Sequence, residues 1–181
     1  AGKLVLVDQA HGPHFIASDL LPPDALAEGA DLVAESTHKV GTSLTQSSQL
    51  HLGSNRLAPH LVAEALALVQ STSPSFLLLC SLEASLDEKK DVWDRTVELA
   101  IWAKEELKKQ GWPVLEAGDL PQGVFLDPTR LVANVNSQGF NGVGAANFLK
   151  KQGGVVVELA DQNNLLFLLT PADRKESIKK L

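Results

Sequence analysis

The run Lys3 to Val7, "KLVLV", closes abruptly on Asp8. An apolar run of this length, with a glycine before it and an acid after it, fits a strand buried on both faces of a parallel sheet. Such sheets belong to α/β folds, where ligands bind outside the carboxyl ends of the strands. Asp8 stands at one such end. An aspartate there also caps the following turn, and on spacing alone that is the simpler reading.

The connection "HGPHFIASDLLPPDALAEGA" carries Gly12, Pro13, Pro22, Pro23 and Gly29. It reads as a loop and then a short helix from Asp24 to Glu28 that ends at Gly29. "ADLVAES" is a second short strand, closed at its carboxyl end by Thr37, His38 and Lys39, and "SSQLHLG" alternates as a third. The spacing of Leu61, Val62, Ala65, Leu66 and Val69 predicts a helix that stops before Ser71-Thr72-Ser73-Pro74. The apolar stripe of "SPSFLLLCSLEASL" predicts another, capped by Ser73 or Ser75. From Asp87 to Gln110 a long charged helix follows, with Trp93, Val97, Ala100, Ile101 and Leu107 as its apolar side and Gly111 as its end. Then the texture changes. "DPTRLVANV" is a strand, "GFNGVGAANFLKKQG" a glycine-rich turn into a helix, and "GVVVELAD" and "NLLFLLT" are strands joined at Asp161–Asn164. "DRKESIKKL" starts a last helix. The β-α-β-β order describes a small α+β domain.

The chain has 181 residues, 44% of them hydrophobic, and a net charge of −6 from 16 basic and 22 acidic side chains. One or two compact domains are expected. No basic cluster forms an electrostatic footprint for nucleic acid. No apolar run reaches the ~18 residues that span a bilayer. The one cysteine, Cys80, lies in "FLLLCSL" and is expected in the core. A lone cysteine fits a reducing, cytoplasmic compartment, with an organelle such as a plastid left open. The chain holds no methionine and begins with alanine, so a longer parent polypeptide is expected.

Two distant stretches make sense together. A lone lysine is most often a solvated charge, yet Lys39 closes a short strand as Asp8 does. If those strands run parallel in one sheet, both residues face one crevice. Pyridoxal phosphate needs a lysine for its aldehyde, an acid for its pyridinium nitrogen and hydroxyl or amide donors for its phosphate. "ESTHK" places Ser36, Thr37 and His38 beside that lysine. His11 and His14 have no third ligand spaced to complete a site, so no metal is expected. His14, His51 and His60 read as a loop, a half-buried strand and a helix start.

"VDQAHGPHF", "GADLVAESTHKVGTSLTQSSQLHL" and "STSPSFLLLCSLEAS" resemble the Orn/Lys/Arg decarboxylase family, fold-type-I enzymes that use pyridoxal 5'-phosphate. The family runs close to Asp-x-Ala-His-Gly-x-His-Phe, then Ser-Thr-His-Lys with Leu-Thr-Gln, then Thr-Ser-Pro-Ser, in this order. The later strands resemble its carboxyl-terminal small domain. The resemblance implies residues 1–85 as the second half of an aspartate-aminotransferase-like large domain, 86–112 as a connecting helix and 113–181 as the small domain. It makes Lys39 the Schiff-base lysine and Asp8 the partner of the pyridine nitrogen, with His38 completing the catalytic set. Ala10 lies against the ring, Ser36 and His38 bind the phosphate, and His11 sits beside them. Thr72 and Ser73 resemble a loop that reaches an active site across a dimer interface. Glu158 and Asp161 are candidates to meet the cationic end of a basic amino-acid substrate.

In that family the phosphate-binding helix start and the ring-stacking side chain come from an amino-terminal half, and only seven residues precede Asp8. The other half is therefore expected in cis or in trans. The chain is then a proteolytic or engineered fragment, one part of a naturally split enzyme, or a relic without catalysis. A non-catalytic assembly module that keeps the half-fold is the alternative function. The motifs leave the substrate at arginine, lysine or ornithine.

Overall fold

A computed structural model describes residues 2–86 and 90–181. The chain divides into two units, 1–90 and 91–181. In the first, β1 (Leu6–Asp8), β2 (Leu32–Glu35) and β3 (Gln49–Leu52) form a sheet in that order. β1 and β2 are parallel, with Asp8 beside Ala34. β3 runs antiparallel to β2, with His51 beside Val33. The described residues of the unit also form the α-helices α1 (Thr37–Val40), α2 (Pro59–Val69) and α3 (Phe76–Ser85). Val33, on the central strand, is fully buried.

The first apolar run is less covered than its sequence implies. Leu4, Val5 and Leu6 are 41, 51 and 63 % exposed. β1 is an edge strand that pairs only with β2 among the described residues. A two-faced apolar strand is buried only when further strands and helices cover it. For the same reason Cys80 is not in a core. α3 carries apolar side chains all round, and Phe76, Leu77, Leu79 and Cys80 are exposed.

The helix expected over Asp24–Glu28 is a run of turns instead. Pro22 and Pro23 precede it, so two backbone donors are missing at its start. Five residues also give too few bonds to offset helix nucleation. The Asp24 carboxylate accepts the Leu26 N–H at 2.8 Å, and Gly29, at φ 89°, closes the turn. Lys39 does not close a strand either. It lies in α1, a single helical turn that follows Ser36.

The second unit is built around α4 (Lys90–Lys109). The expected helix start, Asp87 to Lys89, lies outside the described residues. Trp93, Val97, Ala100, Ala103 and Leu107 form its buried stripe. Ile101 does not belong to that stripe: one residue past Ala100 turns it about 100° around the axis, and it is 52 % exposed. Gly111 ends the helix at φ 85°, where Trp112 N–H reaches back to the Leu107 carbonyl at 3.0 Å.

β4 (Arg130–Asn134), β5 (Leu159–Ala160) and β6 (Asn164–Leu168) form an antiparallel sheet in the order β4-β6-β5. Register sets Leu131 against Phe167 and Ala133 against Leu165, and all four are buried on one face. α5 (Gly142–Gly153) is capped by Asn141, whose side chain accepts from Val143 N–H and Gly144 N–H. A Cβ at Gly142 would meet the Asp161 carbonyl, so only glycine lets this helix start against the β5–β6 turn. α6 (Lys175–Ile178) buries Ile178 in the same core. The strand expected across "GVVVELAD" shrinks to Leu159–Ala160. Val155 and Val157 reach the core as irregular backbone, and Val156 faces out.

Candidate active site

Because β1 and β2 run parallel, their carboxyl ends open on the same edge of the sheet. That edge is where this topology gathers ligand-binding groups. A cavity of about 800 Å³ lies there, and its lining includes Asp8, Ala10, Ser36 and Lys39. Leu66 of α2 and Gln70, just past its end, also line it.

Asp8 caps a turn and also faces the cavity. Its Oδ1 accepts the Ala10 N–H at 3.0 Å, which caps the turn leaving β1, and the same residue lines the cavity. Lys39 is exposed on α1, with its Nζ 3.5 Å from His11 Nε2. His38 is outside that lining. Its Nδ1 donates to the Ser47 carbonyl at 2.7 Å, which leaves Nε2 for another partner. Gln49 donates to Thr37 Oγ1 at 3.2 Å and so ties α1 to β3.

Thr72 and Ser73 lie on the exposed connection between α2 and α3, outside the lining. Glu158 and Asp161 belong to the second unit. Asp161 is engaged within its own turn. The Asn164 side chain and the backbone N–H groups of Asn163 and Asn164 donate to it, and they hold its carboxyl below the usual range. Among the described residues no group of three or more His, Cys, Asp or Glu is arranged to hold a metal ion, and no helix is long and apolar enough to cross a membrane.

Sequence reading missed two buried polar groups at the cavity, Glu35 in its lining and Gln9 behind it. Gln9 and Glu35 are buried and hydrogen-bonded to each other, and Glu35 also meets His51 Nε2 at 3.1 Å. The available signal was position: each is one residue from a site residue, and for Gln9, between Asp8 and Ala10, alternation along extended chain turns the side chain away from the cavity. Asp31, also buried, anchors the start of β1. It accepts from Ser54 Oγ, from Val5 N–H at 2.9 Å and from Arg56 Nη1 at 2.9 Å. Those bonds, the serine first, hold its carboxyl below the usual carboxylate range. Arg56 also donates to the carbonyls of Gly2 and Lys3.

Solved structures share this fold. Lysine decarboxylase A from Pseudomonas aeruginosa superposes with a TM-score of 0.76 at 18% identity, over 98% of this chain and 32% of that one. An alanine–glyoxylate aminotransferase from Nostoc sp. gives 0.71 at 19% identity, over 99% and 52%. The architecture is thus the α/β fold of the fold-type-I enzymes, represented by the second half of the large domain and a small α+β domain. Residues 1–119 match the model of the Orn/Lys/Arg decarboxylase major domain, and the chain belongs to that family. The arginine decarboxylase of Bacillus subtilis (strain 168) is 33% identical over 98% of this chain and 38% of its own length. The constitutive ornithine decarboxylase of Escherichia coli (strain K12) is 26% identical over 82% and 29%. The chain therefore spans well under half the length of these relatives.

Proposed function

We propose that this chain is the carboxyl-terminal portion of a pyridoxal-phosphate-dependent decarboxylase of arginine, lysine or ornithine, and that the cavity at β1 and β2 is its share of the cofactor site. The observation that carries this reading is one cavity lined by Asp8, Ala10, Ser36 and Lys39. The donor set fits the cofactor part by part. There is an amine for the aldehyde, a carboxylate for the ring nitrogen, a single methyl group where a flat ring must approach and a hydroxyl for the phosphate. A volume of about 800 Å³ suits a small-molecule site, for which ~300–1,000 Å³ is usual.

When bound, the cofactor supplies an electron sink for charge developing at the substrate's α carbon. The chain's own groups do the rest. Asp8 would keep a proton on the ring nitrogen. Lys39 would hold the aldehyde, and its amine, when free, would be a proton carrier at the cavity rim with His11 in reach. Ser36 would donate to the phosphate from the lining, and His38, outside that lining, would join it only through Nε2, which can donate to an anion only from the doubly protonated ring. The substrate's α-carboxylate leaves as carbon dioxide and a proton takes its place, giving a diamine or agmatine.

The missing amino-terminal portion, in cis or in trans, supplies the remaining walls. The exposed edge of β1 and the apolar faces of α2 and α3 support an assembly, since such surfaces seldom face water in a finished protein. In a homodimer, Thr72 and Ser73 would serve the second subunit's site. The exposed Cys80 thiol suits a reducing, cytoplasmic setting. The same exposed faces favour the second reading, a non-catalytic assembly module.

One experiment separates the two. The native assembly that contains this chain is incubated with pyridoxal phosphate, reduced with borohydride and digested. A pyridoxyl group on Lys39, with carbon dioxide released from one of the three basic amino acids, supports the enzyme. An unmodified Lys39 leaves the assembly module standing.

A further inference from the structure

Gln9 is flanked by Asp8 and Ala10, both of which line the cavity, yet Gln9 itself is outside the lining and buried. Its amide NH₂ donates to Glu35 Oε1 at 2.6 Å and to Asp24 Oδ2 at 2.7 Å. Its carbonyl accepts the Ala25 N–H at 2.9 Å. A Cβ on Gly12 would come within 2.6 Å of Gln9 Cγ, so the loop closes over this side chain only because residue 12 is glycine. Glu35, in turn, directly precedes Ser36. The bond thus joins the end of β1 to the end of β2 across 26 residues of sequence, and each end carries site residues next to it.

We infer that Gln9 is a positioning residue of the cofactor site, acting through Glu35 to hold Asp8 and Ala10 in register with Ser36 and Lys39. The inference rests on the cofactor reading above. The chemistry of the clasp is specific. An amide must face a carboxylate, because two buried carboxylates in contact repel and lose solvation together. The two positions can exchange groups because the amide oxygen of Glu35→Gln can still accept from His51 Nε2, which lies 3.1 Å from Glu35 Oε2. Gln9→Glu should therefore open the clasp, and Gln9→Glu with Glu35→Gln should close it again. Asp24, the other acceptor, is only half-buried and can turn to water in the exchanged pair, whereas Glu35 is buried and its second oxygen is held by His51.

The test titrates pyridoxal phosphate into the native assembly carrying each variant. It reads the cofactor's visible absorbance, the pH midpoint of that band and the circular-dichroism melting curve. Q9E should bind at least about tenfold more weakly, the factor that ~1.4 kcal/mol represents, with a moved pH midpoint. The double exchange should return to within about threefold of the parent. A lower melting temperature with an unmoved midpoint would reduce Gln9 to a structural residue and overturn the inference. So would Q9E binding like the parent, or a double exchange no better than Q9E. If the parent itself shows no cofactor band, the cofactor reading fails and this inference falls with it, a result distinct from the others. Should Q9E fail to fold, the double exchange still decides.

Discussion

The two units keep different things away from water. In the second, Trp93, Val97, Leu107, Leu131, Phe167 and Leu169 are buried with few polar companions: Thr96, Lys104 and Thr129. In the first, Leu21, Ala30 and Val33 are the buried apolar residues among those described, alongside Gln9, His14, Asp31, Glu35, Thr37 and several serines. The second unit is organised by apolar packing, which tolerates substitutions that keep volume. The first is organised by directional bonds between polar groups, and these fix where atoms point more than they add to stability. A site for chemistry is better served by the polar interior of the first unit, at the cost of depending on neighbours for cover.

The sharpest way to break this contrast is in the core. Leu131→Ala, on the buried face of β4, should cost about 2–5 kcal/mol, read as a lower urea midpoint for the second unit with the first little changed. A loss below ~1 kcal/mol would mean that the core repacks around the gap.

Acid should act on the first unit through Asp31. Its folded carboxyl titrates below its ordinary value, and an unfolded aspartate titrates near ~3.9. Its stabilising contribution is therefore complete above that unfolded value and disappears as pH falls through the lower folded one. Asp31→Asn should remove this part of the acid sensitivity, seen as a flatter pH dependence of amide-exchange protection in β1 and β2. An unchanged slope would assign the acid response of these strands to other carboxyls of the first unit.

The smallest effect is expected at the open faces. Leu6→Lys and Phe76→Glu replace exposed apolar groups and should change the stability of the isolated chain by no more than about 0.5 kcal/mol. They should nonetheless reduce its self-association in sedimentation. Losses as large as that at Leu131 would show those faces to be internally covered.

What could be read from the sequence follows the same division. The order of strands and helices, the capped turn at Asp8 and the shared edge of Asp8 and Lys39 all come from local patterns: apolar runs, glycine stops and the acid at a strand end. Coverage is not local. Nothing within "KLVLV" or "FLLLC" says what will lie against it, so Leu4 to Leu6 and Cys80 were expected inside. Hydrogen-bond partners are not local either: Glu35 lies 26 residues from Gln9, and both look like ordinary surface residues when read alone. The two prolines before Asp24 were visible, but they outweighed a helical pattern too short to nucleate.

The bonds of Arg56 to the carbonyls of Gly2 and Lys3 have a kinetic side. They close a loop with a sequence separation of 54 residues, whereas the Asp161 turn between β5 and β6 closes within three. The entropy lost in closing a loop grows with the logarithm of its length. The hairpin can thus close from its own residues, while the bonds that hold Gly2 and Lys3 require the chain as far as Arg56 to have come round.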